Sequence, residues 1–397
     1  MIKKVSNLFL IVLLFSLMFS CEQNNEDFIN LDLTIAWEVY SENYGNQRLA
    51  IDYEKERVYV NETWNGTMSA IDIKSGKLLW RSDEIVFSGT NAVFDEKYVY
   101  NVGWKLPGEK EVIFVQLDKE TGDIVKTKKL GESREILARM NSLSFYNDTL
   151  YWGAKDSHFV YAYNTQDDAD SYKVWGSEDV TADIMGDIVP YNGRLYFVAE
   201  VYPYIDEPKP SRLISMLPDG SDVKELEIPV EFKGVDSNAL QFYEGKLYLN
   251  GVYFICLNPE TFKIEWELKR DEGFYSSYGF TIHEGKIYTA TNINSCDSVF
   301  CIDSRKGKII WQEKLDSSYG TIGYQPQVYK GYVYQPTQSS LIVLNAKTGK
   351  YVGRDEKIET GGLSLGATEC YNDLMIFSGR SNGELSVIAV KMDMHTR

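Results

Sequence analysis

The sequence predicts an all-β chain folded as an eight-bladed β-propeller of four-stranded antiparallel blades, and three observations carry that reading. An aromatic, a two-residue turn and a strand recur at Tyr191-Asn192-Gly193-Arg194-Leu195-Tyr196, Tyr243-Glu244-Gly245-Lys246-Leu247-Tyr248, His283-Glu284-Gly285-Lys286-Ile287-Tyr288 and Tyr329-Lys330-Gly331-Tyr332-Val333-Tyr334. Looser copies end at Tyr59, Tyr100, Tyr151 and Ile376. A second hairpin signature follows, clearest in Ala70-Ile71-Asp72-Ile73-Lys74-Ser75-Gly76-Lys77-Leu78-Leu79-Trp80. The copies are spaced by about 45 residues, the length of four short strands with their turns, and no helical period interrupts them.

Each element has a local cause. Asn-Gly and its relatives between alternating apolar residues mark a tight hairpin, because both turn positions need positive φ. The second hairpin recurs at Gln116-Leu117-Asp118, Cys256-Leu257-Asn258, Cys301-Ile302-Asp303 and Val343-Leu344-Asn345. Two hairpins make one four-stranded blade. The last copy, near 385–392, has no Trp-bearing fourth strand, whereas 33–40 is a fourth strand without the other three. The N-terminal strand is therefore expected to complete the final blade, which ties the ring shut and removes two sheet edges. One domain is expected over 31–397, with no linker inside it.

Composition limits the partners. The 397 residues are 44% hydrophobic and 25% charged, which excludes disorder. A net charge of −17 argues against nucleic acid, since neutralising phosphates needs a basic surface. The 28 tyrosines, 18 phenylalanines and 8 tryptophans suit strands and aromatic ligand surfaces.

The first 20 residues read as a signal peptide. Lys3 and Lys4 precede an apolar run from Leu8 to Phe19, too short for a membrane span. The stretch Leu17-Met18-Phe19-Ser20-Cys21 resembles a bacterial lipobox, which makes Cys21 the lipidation site. Residues 21–30, with Glu22, Glu26 and Asp27, are expected to be a flexible acidic tether similar to the export signals of Bacteroidetes-type surface lipoproteins.

The repeat unit, hydrophobic-Tyr, then Ala-hydrophobic-Asp, then Ser/Thr-Gly-Lys, then Trp, resembles the PQQ-like repeat of quinoprotein-type propellers. Ile71-Asp72 with Ser75-Gly76-Lys77 and Trp80, and Ile302-Asp303 with Gly307-Lys308 and Trp311, match best. The resemblance implies that Trp37, Trp80, Trp175, Trp266 and Trp311 dock between blades; Val125, Leu226 and Tyr351 stand near that place in blades two, four and seven. Two branches of the family differ in function. Quinone-dependent dehydrogenases carry a quinone, a calcium ion and a disulfide between adjacent cysteines. This chain has no adjacent cysteines, and no set of Asp and Asn around a calcium can be placed. The other branch holds lipid-anchored eight-bladed scaffold subunits, among them the lipoprotein of the outer-membrane β-barrel assembly machinery.

No catalytic residue, metal ligand or cofactor is assigned. Gly362-Leu363-Ser364-Leu365-Gly366 fits a nucleophile pattern, but no helix pattern follows Ser364. The only histidines, His158, His283 and His395, are too few and scattered for a zinc site or triad. Cys256 and Cys301 fall on a small interior register position, while Cys296 and Cys370 have the option of a disulfide. Asp148-Thr149-Leu150 and Asp297-Ser298-Val299 resemble Bacteroidetes O-glycosylation triplets. Trp64, Trp104, Trp152, Tyr202 and Tyr204 fall in segments expected to be loops between second and third strands. Two readings stay open for these aromatics: stacking on a sugar or clasping a peptide, or local packing on the blade tops.

The chain is thus expected to be a non-catalytic, monomeric binding scaffold, lipid-anchored at the bacterial outer membrane and facing periplasm or cell surface. Its partner would be an envelope protein; the alternatives are a glycan ligand and, more remotely, quinone-dependent dehydrogenation.

Overall fold

The computed structural model describes residues 31–40, 47–62, 66–83, 91–104, 111–132, 139–155, 159–167, 169–176, 181–202, 211–228, 240–251, 253–269, 279–293, 296–315, 325–337, 339–358, 368–381 and 384–393. They form eight four-stranded antiparallel sheets arranged as propeller blades. Blades 1 to 7 are consecutive in the chain, at 47–82, 93–132, 139–176, 181–228, 240–268, 280–314 and 327–355. In blade 8, strands Glu369–Tyr371, Leu374–Ser381 and Glu384–Lys391 are completed by Ile35–Tyr40 from the N-terminus. Trp37 lies opposite Ala389 and Val39 opposite Val387, so the expected closure is the observed one. The incoming chain is also fixed to blade 7, where the Leu31 N–H donates to the Arg354 carbonyl at 2.6 Å and the Leu33 N–H to the Asp355 carboxylate at 2.7 Å.

The turn chemistry follows the sequence. In the inner hairpins of blades 3 to 7 both turn residues take positive φ, as at Asn192 (46°) with Gly193 (77°) and Lys330 (45°) with Gly331 (80°). The outer hairpins are capped by the Asp or Asn of the repeat: Asp72 Oδ1 accepts from the Ser75 N–H at 2.8 Å, and Asn345 Oδ1 from the Thr348 N–H at 3.0 Å. These groups make Asx turns, which occupies the motif's acid with backbone and not with chemistry. The Ser75 hydroxyl and N–H hold the Asp72 carboxyl below its ordinary range.

The cores lie between blades. Trp80 of blade 1 donates its indole N–H to the Lys119 carbonyl of blade 2 at 3.0 Å, and Trp37 of blade 8 reaches the Ile73 carbonyl of blade 1 at 2.8 Å. Trp266 and Trp311 do the same to Ser304 and Ala346, at 2.9 and 3.0 Å. The two carbonyls in blades 6 and 7 accept a second bond from the preceding blade, from the hydroxyls of Tyr248 and Tyr288, each at 3.3 Å. Each indole lies on the glycine of the next blade's outer turn; a Cβ on Gly349 would sit 2.6 Å from Trp311.

Seams without this pair are built otherwise. Blade 4 carries Leu226, and the glycine position of blade 5's outer turn is Phe262 at φ 57°, with both side chains packed in one apolar cluster. The small side chain and the large one have changed places across that seam. The seam between blades 1 and 2 has the indole pair, Trp80 on Gly122, and adds to it an ion pair of Lys119 and Asp52 at 2.6 Å, with side chains 4% and 3% exposed. Lys119 Nζ also donates to the Asp95 carbonyl at 2.5 Å and stands 4.6 Å from the Phe94 ring centroid, so the buried ammonium is compensated three ways.

Gly349 and Gly245 share a φ of +75°, but nothing lies within 4 Å of a Cβ at Gly245. Gly245→Ala should therefore cost only the left-handed strain, roughly 1–2 kcal/mol. Gly349→Ala should cost about 1–3 kcal/mol more from overpacking against Trp311. Equal denaturation midpoints for the two variants would show that indole docking does not constrain this turn.

Candidate functional site

The sequence-predicted binding aromatics separate in the structure. Trp152 and Trp104 are strand residues, a correction to the loop assignment: Trp152 lies within Thr149–Lys155, the second strand of blade 3, and Trp104 ends Tyr98–Trp104, the second strand of blade 2. Trp152 is fully buried among Val102, Val112, Phe114 and Leu143, and stacks on Tyr161 with centroids 5.7 Å apart. Period-2 alternation along its strand turns it into the seam between blades 2 and 3, where it has no free face for a ligand. Trp104 packs against the same cluster but stays partly exposed at the end of its strand. Tyr202 ends the second strand of blade 4, Arg194–Tyr202. Trp64, Tyr204, Cys21, Ser364, His158 and His395 lie outside the described residues.

The inter-blade indoles occupy positions unsuited to ligands. Trp37, Trp80 and Trp311 are buried and hydrogen-bonded to the next blade. Trp266 is partly buried with the same bond, and Trp175 meets Phe197 of blade 4 edge-on at 5.3 Å. Cys256 lies opposite Trp266, and Cys301 opposite Trp311, where a small side chain is needed; burial pushes both thiols up to about 11. Cys370 is a free thiol on blade 8, whereas Cys296 belongs to blade 6; the optional disulfide is not formed. Thr149 and Ser298 of the two glycosylation-like triplets are 6% and 4% exposed within paired strands, which leaves neither hydroxyl open to a transferase.

The first strands of blades 5 to 8 carry a polar ladder that the sequence reading missed. Gln241 donates to the Phe280 carbonyl at 2.6 Å, Thr281 to the Pro326 carbonyl at 2.6 Å, and Gln327 to the Thr368 carbonyl at 3.0 Å. Each bond runs from one blade to the next. The following residue in this register is Glu369, partly buried, with Asp187 of blade 4 acting on it from the opposite side of the ring. Burial, and then the Asp187 carboxylate, push the Glu369 carboxyl up to about 7. The available signal was a carboxylate at a position that holds Gln or Thr in blades 5 to 7. Among the described residues, no group of three or more His, Cys, Asp or Glu is arranged to hold a metal ion.

Turn-capped outer hairpins, indoles docked on the next blade and closure by the N-terminal strand define the class: an eight-bladed propeller of PQQ-like repeats. Residues 244–390 match the family model described as outer membrane protein assembly factor BamB. Among solved structures, the chain is similar to BamB from Moraxella catarrhalis at 11% identity, covering 92% of this chain and 99% of that one, with a TM-score of 0.65. It is also similar to the quinohemoprotein alcohol dehydrogenase from Comamonas testosteroni, at 11% identity, 90% and 76% coverage and a TM-score of 0.64. The computationally designed protein Ika8 matches at 13% identity, 90% and 99% coverage and 0.57. At such identities the likeness speaks for the fold. No curated protein matches the chain in sequence.

Truncating Trp152 should act on stability: Trp152→Ala is expected to lose about 3–5 kcal/mol, as for a large aromatic removed from a core. Trp104→Ala, partly exposed already, should lose less. Denaturant titration of both variants checks this, and a stable Trp152→Ala protein would return Trp152 to the binding candidates.

Proposed function

We propose that the protein is a non-catalytic binding scaffold of the bacterial cell envelope, anchored through a lipid on Cys21 and engaged in outer-membrane protein assembly. The observation that carries this reading is the match of residues 244–390 to the outer-membrane assembly factor model, supported by a ring that spans nearly the whole of a solved BamB. The propeller's own chemistry favours it too. Motif acids cap turns and the indoles weld seams, which leaves the blade rims and loops to meet a partner.

A glycan ligand is the second reading, favoured by Trp104, whose ring reaches the blade 2 rim partly exposed. Affinity capture of the lipidated protein from its native envelope, run beside a glycan array on the soluble domain, separates the two. Recovery of barrel-assembly proteins with a silent array is the expected result. Glycan binding that disappears in Trp104→Ala, with no assembly protein recovered, would move the function to saccharide capture.

A further inference from the structure

Eight register positions lie opposite the repeat's anchor residue on the first strands. Gln241 faces Tyr248, Thr281 faces Tyr288, Gln327 faces Tyr334, and Glu369 faces Ile376. The first three all donate to the carbonyl of the residue just before the same position in the next blade. For Glu369 the next blade is blade 1, where the position is Ala50, opposite Tyr59, and the carbonyl is that of Leu49. Ile376 packs with Leu49 and Ile51 in the cluster between blades 8 and 1, which places this face of blade 8 on the closing seam. A carboxyl in a donor's place can donate only while it holds its proton.

We propose that Glu369 is a proton-operated latch at this seam, donating to the Leu49 carbonyl when protonated and losing that bond when ionised. On ionisation the proton leaves to solvent, and a carboxylate then confronts a carbonyl with no hydrogen between two acceptors.

Among the described residues around the latch, the Asp187 carboxylate of blade 4 opposes its charge, while Tyr53 at the inner turn of blade 1 and Cys370, its neighbour on the strand, keep their own protons to well above the pH at which Glu369 ionises. Tyr53 donates to the Cys370 carbonyl at 3.2 Å, and burial followed by Glu369 pushes the Tyr53 hydroxyl up to about 12. The first strand of blade 7 offers Gln327, already bound to Thr368, and Asp52 of blade 1 is engaged by Lys119 of blade 2. A free glutamate releases its proton near 4.5, and Glu369 releases it at about 7. Between these values the folded state binds more protons than the unfolded one. The latch therefore holds fully at low pH and weakens as pH rises through that window.

Hydrogen exchange on the full mature chain at pH 5.5 and 8, with blades 5 and 6 of the same sample as the reference for intrinsic rates, reads the seam directly. Relative protection of 47–52 and 369–371 should fall at least about tenfold in the wild type between the two pH values, the equivalent of one pKa unit. Glu369→Gln should keep the protection at both, as Gln327 does in its own blade, and should melt higher than wild type only at pH 8. Glu369→Ala should lose it at both. Identical pH dependence of the seam in wild type and Glu369→Gln, or a seam weakened by Gln at both pH values, would overturn the latch. Neither outcome depends on which partner the propeller binds.

Discussion

The ring depends on one contact, the indole of a fourth strand lying on the outer turn of the next blade. It combines three requirements in a small volume. The turn must supply a glycine so that the ring can approach, a carbonyl must point at the indole N–H, and an Asp or Asn must hold the turn in shape. At Ser304 and Ala346 a tyrosine hydroxyl from the preceding blade takes the remaining acceptor capacity of the same oxygen. A buried polar group left unpaired is costly, so full use of these carbonyls lets polar atoms sit inside an apolar seam.

That coupling explains the irregular blades. Leu226 with Phe262 stands where other seams have a Trp–Gly pair, with the ring now supplied by the following blade, and Phe262 accepts a left-handed backbone to do so. Between blades 2 and 3 the seam is filled instead by Trp152, Tyr161, Phe114 and Tyr163, with Lys126 and Lys128 over the last ring. Close packing constrains total volume at a seam more than the identity of the residue that fills it.

Blade 1 meets a buried or partly buried acid in both of its seams. Toward blade 2 it buries Asp52 against Lys119, and toward blade 8 it meets Glu369. The first is a pair whose partners compensate each other, while the second is an acid whose charge is disfavoured by burial and by the Asp187 carboxylate. Only the second of these seams borders blade 8, where the two chain ends are joined.

The eight blades, their hairpin turns and the N-terminal strand's place in the last blade were legible in the sequence, because turn chemistry and period-2 alternation are local properties. Asn192-Gly193 commits the chain to positive φ wherever it occurs, and a fourth strand without the other three can be recognised by counting. Which aromatic faces solvent was decided by tertiary structure alone. Trp152 directly follows the anchor tyrosine of its repeat and Trp104 stands four residues after its own, but it takes the folded ring to show that the neighbouring blade supplies Val102, Val112 and Phe114 to cover the first. The roles of Lys119 and Glu369 were equally hidden. The charge of Lys119 is matched by Asp52, in the preceding blade, and that of Glu369 opposed by Asp187, across the ring, and closing the propeller is what brings such distant residues together.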